Sequence, residues 1–531
     1  MAYVVGVLLA FWFPSRIDDE FAIGMDVVMV ATAFSGALLL LMWVGWSLFF
    51  SGWKWPVRIV VAIAMLAAPV VLLKVLRPVL SGDVTIARFE PIWSTRPQAP
   101  SAEVSGAEST VDLVTETPED FPRFLGPDQN SIVSGSLNIA ADRFSDSRIV
   151  WKQPIGEGWS GFVSRNGFAV TMEQRQDQEC VTCYNLLTGE LQWIHQHAAR
   201  HRDAGNLGRI GPRSTPTIHD GRVYAVGAVG NFVCLDGSDG SVAWQVDLNS
   251  VLNLQLATDV DADGRTIQYE QNSRLAWGRS GSPLIFEDTV IVPGGGPRDG
   301  TLVTLLAFDR ITGDLVWKGG SEMIAYGSPT LATVAGVPQI LIVAENKVLG
   351  FQPDNGNVLW ESSRPGASDG QANTSQAIPV GDNQVLTSKG YPDGGGMLIE
   401  LSHHNGQLVP ETVWNNPRVL KTKLMSPVIF EGHAYSLSNG FLECCRLSDG
   451  ERVWKHRGRF GHGQMLLVDD RILLHTEDGE LMLIRATVDG YEDFGSIPTI
   501  AGVCWNTLCL AGSHLLVRSE LEAACVELPR Q

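Results

Sequence analysis

The sequence predicts an all-β fold, an eight-bladed β-propeller, carried behind N-terminal transmembrane α-helices. Three observations predict it. A short phrase, a small polar residue then Gly then Trp four residues after the Gly, keeps returning beyond residue 145. The chain is rich in Gly (55) and Trp (16), which suits many tight turns and large aromatic wedges rather than long helices. Two long uncharged runs stand near the N-terminus, apart from the repeats. With 531 residues, 45% hydrophobic and only 18% charged, the chain is too apolar to be disordered. Lys and Arg number 39 against 58 Asp and Glu, and the resulting net charge of −19 opposes nucleic-acid phosphates, so no nucleic-acid partner is expected.

Residues 1–90 read as a membrane anchor. Val27 to Phe50 is a run of 24 residues without a charge, about 36 Å as a helix and enough to cross a bilayer core. A second apolar run, Ile59 to Leu73, is flanked by Arg58 and Lys74, whose side chains can snorkel, so the second span is placed at about 57–80. Met1–Phe13 leaves a third crossing open. Lys54 and Arg58 in the link, against Asp18, Asp19, Glu20 and Asp26 before the first span, put the link in the cytoplasm. The body is then returned to the outer side of the membrane, which in the bacterial group that the chain resembles, named below, is the periplasmic side of the inner membrane. Residues 91–120, rich in Pro, Ser, Thr and Glu, read as a flexible linker.

The propeller is assigned to residues 121–531. Its phrase occurs at Gly189 to Trp193, Gly240 to Trp244, Gly313 to Trp317, Gly356 to Trp360 and Gly450 to Trp454. Asn405-Gly406 reaches Trp414 after an insertion, and Gly490 has Phe494 in the Trp place. Each phrase is a hairpin turn, where Asn-Gly and Asp-Gly supply positive φ. Units begin at Thr215-Pro216, Ser282-Pro283, Ser328-Pro329 and Ser426-Pro427. Four strands in about 40 to 50 residues is blade spacing. Trp151, Trp193, Trp244, Trp317, Trp360, Trp414 and Trp454 are expected to dock blade against blade. Trp151 has a strand, Arg148 to Trp151, but no preceding blade, and the C-terminus supplies three strands without a fourth. Pairing the two ends closes eight blades and leaves no open edge; seven is the count if they do not pair.

These phrases, clearest in Leu186 to Trp193 and Asp309 to Trp317, resemble the docking repeats of pyrroloquinoline-quinone-type propellers over about 400 residues. That superfamily includes quinoprotein alcohol dehydrogenases and BamB-like envelope proteins. Phe121 to Pro127, Gly211 to Pro216, Trp277 to Pro283 and Gly458 to Gln464 are similar to a bacterial group of membrane-anchored PQQ-like repeat proteins. The dehydrogenase branch implies a calcium-bound quinone, an acidic base and a Trp floor. Here the blades are lean, no Cys-x-x-Cys-His haem signature occurs, and no catalytic Asp or Glu–Asn pair maps onto matching motifs. The expectation is therefore a non-catalytic binding or scaffold module of the cell envelope. A quinone-dependent dehydrogenase of alcohols or sugars and a structural subunit of an envelope assembly complex are the alternatives.

Candidate chemistry is sparse. Asp259, Asp261, Asp263, Gly264 and Glu270 have the oxygen-ligand spacing of a calcium loop, though no exit helix follows and Asp-Ala-Asp-Gly also makes ordinary hairpin turns. Cys180 and Cys183 fall on opposite faces of a strand and read as core. His195, His197 and His201 read as a polar loop. Arg213, Arg279, Lys423 and His462 each precede the first strand of a blade, where propeller strands surround the axis. Four blades would thus offer donors to one mouth, with Trp505, Trp159, Tyr326 and Asn373 in comparable places. Such a mouth suits a small anionic ligand or an acidic partner protein.

Overall fold

The computed structural model describes residues 25–82, 86–94, 99, 111–134, 139–202, 209–261, 264–366 and 371–531. Met1–Phe13 and Asp263 fall outside them. The chain divides into two compact units, residues 1–96 with 457–459 and the remainder.

In the first unit, helix α1 (Met25–Phe49) turns into helix α2 (Trp55–Val75). Pro56 stands in the first turn of α2, where a missing amide costs nothing. Arg58 closes the turn by donating to the carbonyls of Leu48 (2.9 Å) and Trp53 (2.8 Å), so it satisfies α1's open C-terminus. Among the described residues, Trp55–Leu72 is the helical stretch long and apolar enough to cross a membrane, with mean hydropathy 2.1; Ala33–Phe49 is apolar but shorter. The second span does not reach residue 80. Helix α2 ends at Val75 and the chain becomes a hairpin, Leu76–Leu80 paired with Ile86–Pro91. Pro78 is the local reason, because it holds the residue before it extended.

The second unit is an eight-bladed propeller of four-stranded antiparallel sheets. Blades 1 to 7 cover residues 163–198, 217–247, 284–319, 330–363, 378–416, 428–459 and 464–498. Blade 8 is built from both ends of the unit: Cys509–Ala511, His514–Arg518 and Glu522–Glu527 are completed by Arg148–Pro154, with Cys525 opposite Trp151. The ring thus closes with no blade short of a strand. The inner strands of successive blades face the axis, and their neighbours in each sheet are almost wholly buried.

The Trp and Gly of each phrase serve two different seams. Trp193 on the outer strand of blade 1 lies over the turn of blade 2: a Cβ on Gly240 would stand 2.6 Å from its ring, and its Nε1 donates to Gly237 O at 2.9 Å. The same arrangement joins Trp151 to Gly189 and Leu186 O (2.8 Å), Trp244 to Gly313 and Arg310 O (3.1 Å), and Trp414 to Gly450 and Leu447 O (2.6 Å). Trp317 covers Gly356, and Trp454 donates to Thr487 O at 2.9 Å. Gly is required twice over, by positive φ and by the indole lying on it. The seam between blades 4 and 5 differs. The insertion at Asn405-Gly406 lengthens two blade 5 strands to ten residues each, so the turn moves outward and nothing lies near Gly406. Trp360 donates instead to Gln339 of its own blade at 2.5 Å.

The linker is shorter than the composition suggested. Val111 and Leu113 are buried in the core of blades 1 and 2, and Asp120 faces the buried Arg165 at 3.7 Å. Two apolar residues in a polar stretch suffice to dock it.

Candidate functional site

The recurrent Ser/Thr at the blade starts forms a collar around the axis. The amide of Gly161 donates to Thr215 Oγ1 (2.9 Å), Thr215 to Ser282 Oγ (3.0 Å), Ser282 to Ser328 Oγ (2.9 Å), Ser328 to Gln376 Oε1 (2.7 Å) and Gln376 to Ser426 Oγ (3.0 Å). Each blade's first amide is thereby satisfied by the next blade's side chain, which fixes six blades in register around the channel. The following Pro, present in four of them, holds the strand start extended.

Below the collar, the segment 121–133 crosses the channel. Phe121 pairs with Ser164 of blade 1 (2.8 and 3.0 Å), and Pro122 O accepts from Ile218 of blade 2 (2.8 Å). Gln129 Nε2 donates to Pro329 O of blade 4 (3.4 Å), and Ile132–Val133 runs parallel to Leu467–Val468 of blade 7. Inner strands from four blades therefore hold this plug, and the mouth lies at the collar end.

At that mouth Trp159 and Trp505 pack with ring centroids 4.5 Å apart. Trp505 Nε1 donates to Glu477 Oε1 at 2.8 Å, and the other carboxylate oxygen lies 3.3 Å from the amide of the buried His462. The amide of Trp159 bonds Pro212 O at 2.8 Å, and Arg213, the next residue, donates its guanidinium to Gly211 O and, at 3.2 Å, to Arg209 O. Lys423 lies 5.3 Å over the ring of Tyr391, and its carbonyl accepts from Thr374 Oγ1 at 3.1 Å. Arg213, Lys423, His462 and Trp505 are thus held on blade-start segments at the collar end.

Arg279 is not among them. It is buried, its Nε donates to Glu270 Oε1 (2.5 Å) and its Nη1 to Gly294 O (2.5 Å), beside a small cavity with room for about one water. The reason is the acceptors within its reach. Next to it, Ser280 donates to Tyr326 O at 2.8 Å, while the Glu270 carboxylate and Gly294 O hold the Arg279 guanidinium inside the fold.

The proposed calcium loop folds as a plain hairpin, Gln255–Val260 with Thr266–Gln271. Asp259 pairs with Ile267 and Glu270 with Leu256, three rungs or about 10 Å apart along the ladder. Asp261 is taken by Arg200 (3.1 Å) and Arg202 (3.5 Å), and Glu270 by Arg279. Arginine side chains thus pair with both of these carboxylates. His195 and His197 lie on the strand Leu191–Ala198 rather than in a loop, and all eight cysteines are buried and unbridged.

Sequence reasoning missed the acids of the mouth, Glu477 and Glu520. Glu520 pairs with Arg209 and accepts the amide of Val503 at 2.6 Å. The signal was present: His475-Thr-Glu477 and Arg518-Ser-Glu520 stand at the same offset in neighbouring blades. Arg518 was missed too. Fully buried, it donates to Thr171 Oγ1 (2.7 Å), Met172 O (2.9 Å) and Gly156 O (3.0 Å), stitching blade 8 to blade 1. Glu173, held below the usual carboxylate range by Arg175 and Tyr184 against its burial, supplies nearby negative charge.

Fold and seams define the class, an eight-bladed propeller fastened by docked tryptophans. A family profile described as outer membrane protein assembly factor BamB matches residues 177–456, and the chain belongs to that family. No curated protein sequence matches it. Among solved structures it is similar to the quinohemoprotein alcohol dehydrogenase ADHIIG from Pseudomonas putida HK5, with 11% identity and TM-score 0.52 over 82% of this chain and 83% of that one. A europium-containing methanol dehydrogenase gives 11% identity and TM-score 0.53 over 76% and 90%. BamB from Moraxella catarrhalis gives 12% identity and TM-score 0.48 over 72% and 100%. At such identity the two dehydrogenase likenesses speak for the fold alone.

The quinone and calcium implied by the dehydrogenase branch do not fit the described residues. Trp159 and Trp505 touch and leave no slot between them for a planar cofactor. Glu477 and Glu520 are engaged by an indole, backbone amides and Arg209. Among the described residues no three His, Cys, Asp or Glu side chains converge to hold a metal ion.

Proposed function

We propose that this chain is a membrane-tethered, non-catalytic propeller that serves as a binding or scaffold module in the bacterial cell envelope. One observation carries the reading: the channel is plugged at one end by residues 121–133 and narrowed at the other by the Trp159–Trp505 pair, which favours recognition at a surface over chemistry in a cavity. Membership of the BamB family supports an envelope role, and the apolar stretch Trp55–Leu72 supports a tether in the inner membrane with the propeller on the periplasmic side. Arg213 and Lys423, with the indole of Trp505, suit an acidic segment of a partner protein or a small anionic ligand.

The test is crosslinking and affinity capture of the full chain from membranes, comparing wild type with R213E/K423E. A partner recovered by wild type and lost by the variant is the expected result, and equal recovery overturns the role of the mouth. The dehydrogenase alternative is tested by supplying quinone and calcium and following dye-linked alcohol oxidation. Turnover would overturn the non-catalytic reading.

A further inference from the structure

The outer edges of the blades are blunted in a common way. In blades 1, 2, 3, 4, 5, 7 and 8 the outermost strand shifts register against its neighbour, between Cys183 and Tyr184, between Cys234 and Leu235, and at the equivalent place in each of the others. Such a shift bends an edge and keeps it from pairing with another chain. The hairpin between blades 2 and 3 has no such defence. Gln255–Val260 and Thr266–Gln271 pair along their whole length without a shift and make a sheet of their own. The first of these strands carries no Pro, Lys or Arg, and its Leu256 and Val260 are 40% and 61% exposed.

One edge of this small sheet is taken and the other is open. On the side of Thr266–Gln271, the amide of Gln268 donates to Arg200 O at 2.8 Å, and His201 Nδ1 bonds Gln268 O at 3.2 Å. Gln268 thus turns its backbone groups away from its partner Thr258, so the two form a non-hydrogen-bonded pair, and hydrogen-bonded pairs alternate with it. The bond from Asp261 N to Arg265 O (2.9 Å) continues that alternation. The amides and carbonyls of Leu256, Thr258 and Val260 therefore point to the far edge, where among the described residues no strand pairs with them. Of these groups, Val260 N bonds Asp259 Oδ1 at 2.8 Å.

The open strand is complementary to itself. Set antiparallel to a second copy and centred on Thr258, it places Thr258 opposite Thr258, Leu256 opposite Val260 and Ala257 opposite Asp259. Leu256, Thr258 and Val260 share one face, so this register joins two apolar pairs about a central Thr pair and keeps the two Asp259 carboxylates apart. A centre at Asp259 would oppose those carboxylates, and a centre at Ala257 would leave Val260 beyond the ladder. We propose that the edge Gln255–Val260 is the interface of a homodimer, in which two copies of this chain join their hairpins into one continuous antiparallel sheet. The outward backbone groups of Leu256, Thr258 and Val260 then pair across the two-fold axis, and Val260 N exchanges Asp259 Oδ1 for a carbonyl of the second copy. The interface asks nothing of the axial mouth, and the proposal stands whether or not the mouth binds a partner.

Single cysteines read the register. All eight native cysteines are buried and unbridged, so the full chain, oxidised with copper phenanthroline in the membranes of the cells that express it, should give no disulfide-linked dimer as wild type. T258C should give a reducible homodimer band, because the Cα atoms of a hydrogen-bonded pair stand about 5.5 Å apart, within disulfide reach. L256C and V260C should each give at least tenfold less on their own, and co-expressing the two should restore the band. V260P removes an outward amide that takes no part in the hairpin ladder, so T258C/V260P should lose the band while its thermal midpoint stays with that of T258C. If V260P unfolds the hairpin, V260K replaces it, with a charge on the open edge and the same expected outcome. T258C crosslinking no better than L256C, or crosslinking to a different protein in place of a second copy, overturns the proposal. So does a band that survives the edge variant.

Discussion

Two seams of one ring are fastened in opposite ways. Where blade 8 meets blade 1, the chain's own ends close the circle, Trp151 lies on Gly189, and Arg518 reaches three acceptors across the seam. Where blade 4 meets blade 5, the lengthened strands carry Gly406 out of reach, Trp360 bonds within its own blade, and Arg364 has a single acceptor among the described residues. The difference teaches that the repeat phrase specifies a seam only when turn length keeps the Gly beneath the neighbouring indole. An insertion breaks that geometry, and another device must then hold the blades.

The largest effect separating the seams should come from the two buried arginines. R518M leaves Thr171, Met172 O and Gly156 O buried without their donor, and should cost about 3–5 kcal/mol. R364M loses one described acceptor, Ser388 O, and should cost less, about 1–3 kcal/mol. Denaturant midpoints of the two variants against wild type check the contrast, and equal losses would mean that both arginines are satisfied alike.

Next come the glycines. Ala at Gly240 and at Gly406 must adopt φ near +74° and +79°, so both variants carry about 1–2 kcal/mol of backbone strain. Only at Gly240 does the new methyl meet an indole, Trp193 at 2.6 Å, which should add about 1–3 kcal/mol from overpacking. Thermal midpoints of the pair isolate the docking contribution, since the strain is common to both. If G406A is as damaging as G240A, the outward displacement of that turn is wrong.

The fold was legible because its instructions repeat. Each Gly-to-Trp phrase is local, recurs at blade spacing, and was readable even where Phe494 replaces the indole. Ring closure was legible from a surplus strand at one end and a deficit at the other. The site was less so. Arg279 looked equivalent to Arg213 by rough position, yet Glu270 and Gly294 O take its guanidinium, and neither partner is visible from the blade-start motif. Asp259, Asp261 and Glu270 had metal-like spacing, but a hairpin register decides which carboxylates meet, and register is set by the strands and not by spacing from a first Asp. Arg364 and Lys389 are 25 positions apart in separate blades, and only the ring brings them together. Collar residues lie between these extremes: Thr215, Ser282, Ser328 and Ser426 were visible as blade starts, although their bonding to the preceding blade's amide needed the neighbouring blade in place.

A smaller effect sharpens the comparison through pH. Burial, and after it Arg364, depress Lys389 from its ordinary 10.5 to about 7, with Glu345 opposing. Between those values the unfolded chain holds a proton that the folded chain has released, so stability should rise as pH increases across that window, by at most about 1.4 kcal/mol per unit. Below about pH 7 both states are protonated and the dependence on this group ends. K389M should flatten the rise measured by denaturant unfolding from pH 7.5 to 9.5. A slope that survives K389M belongs to other groups.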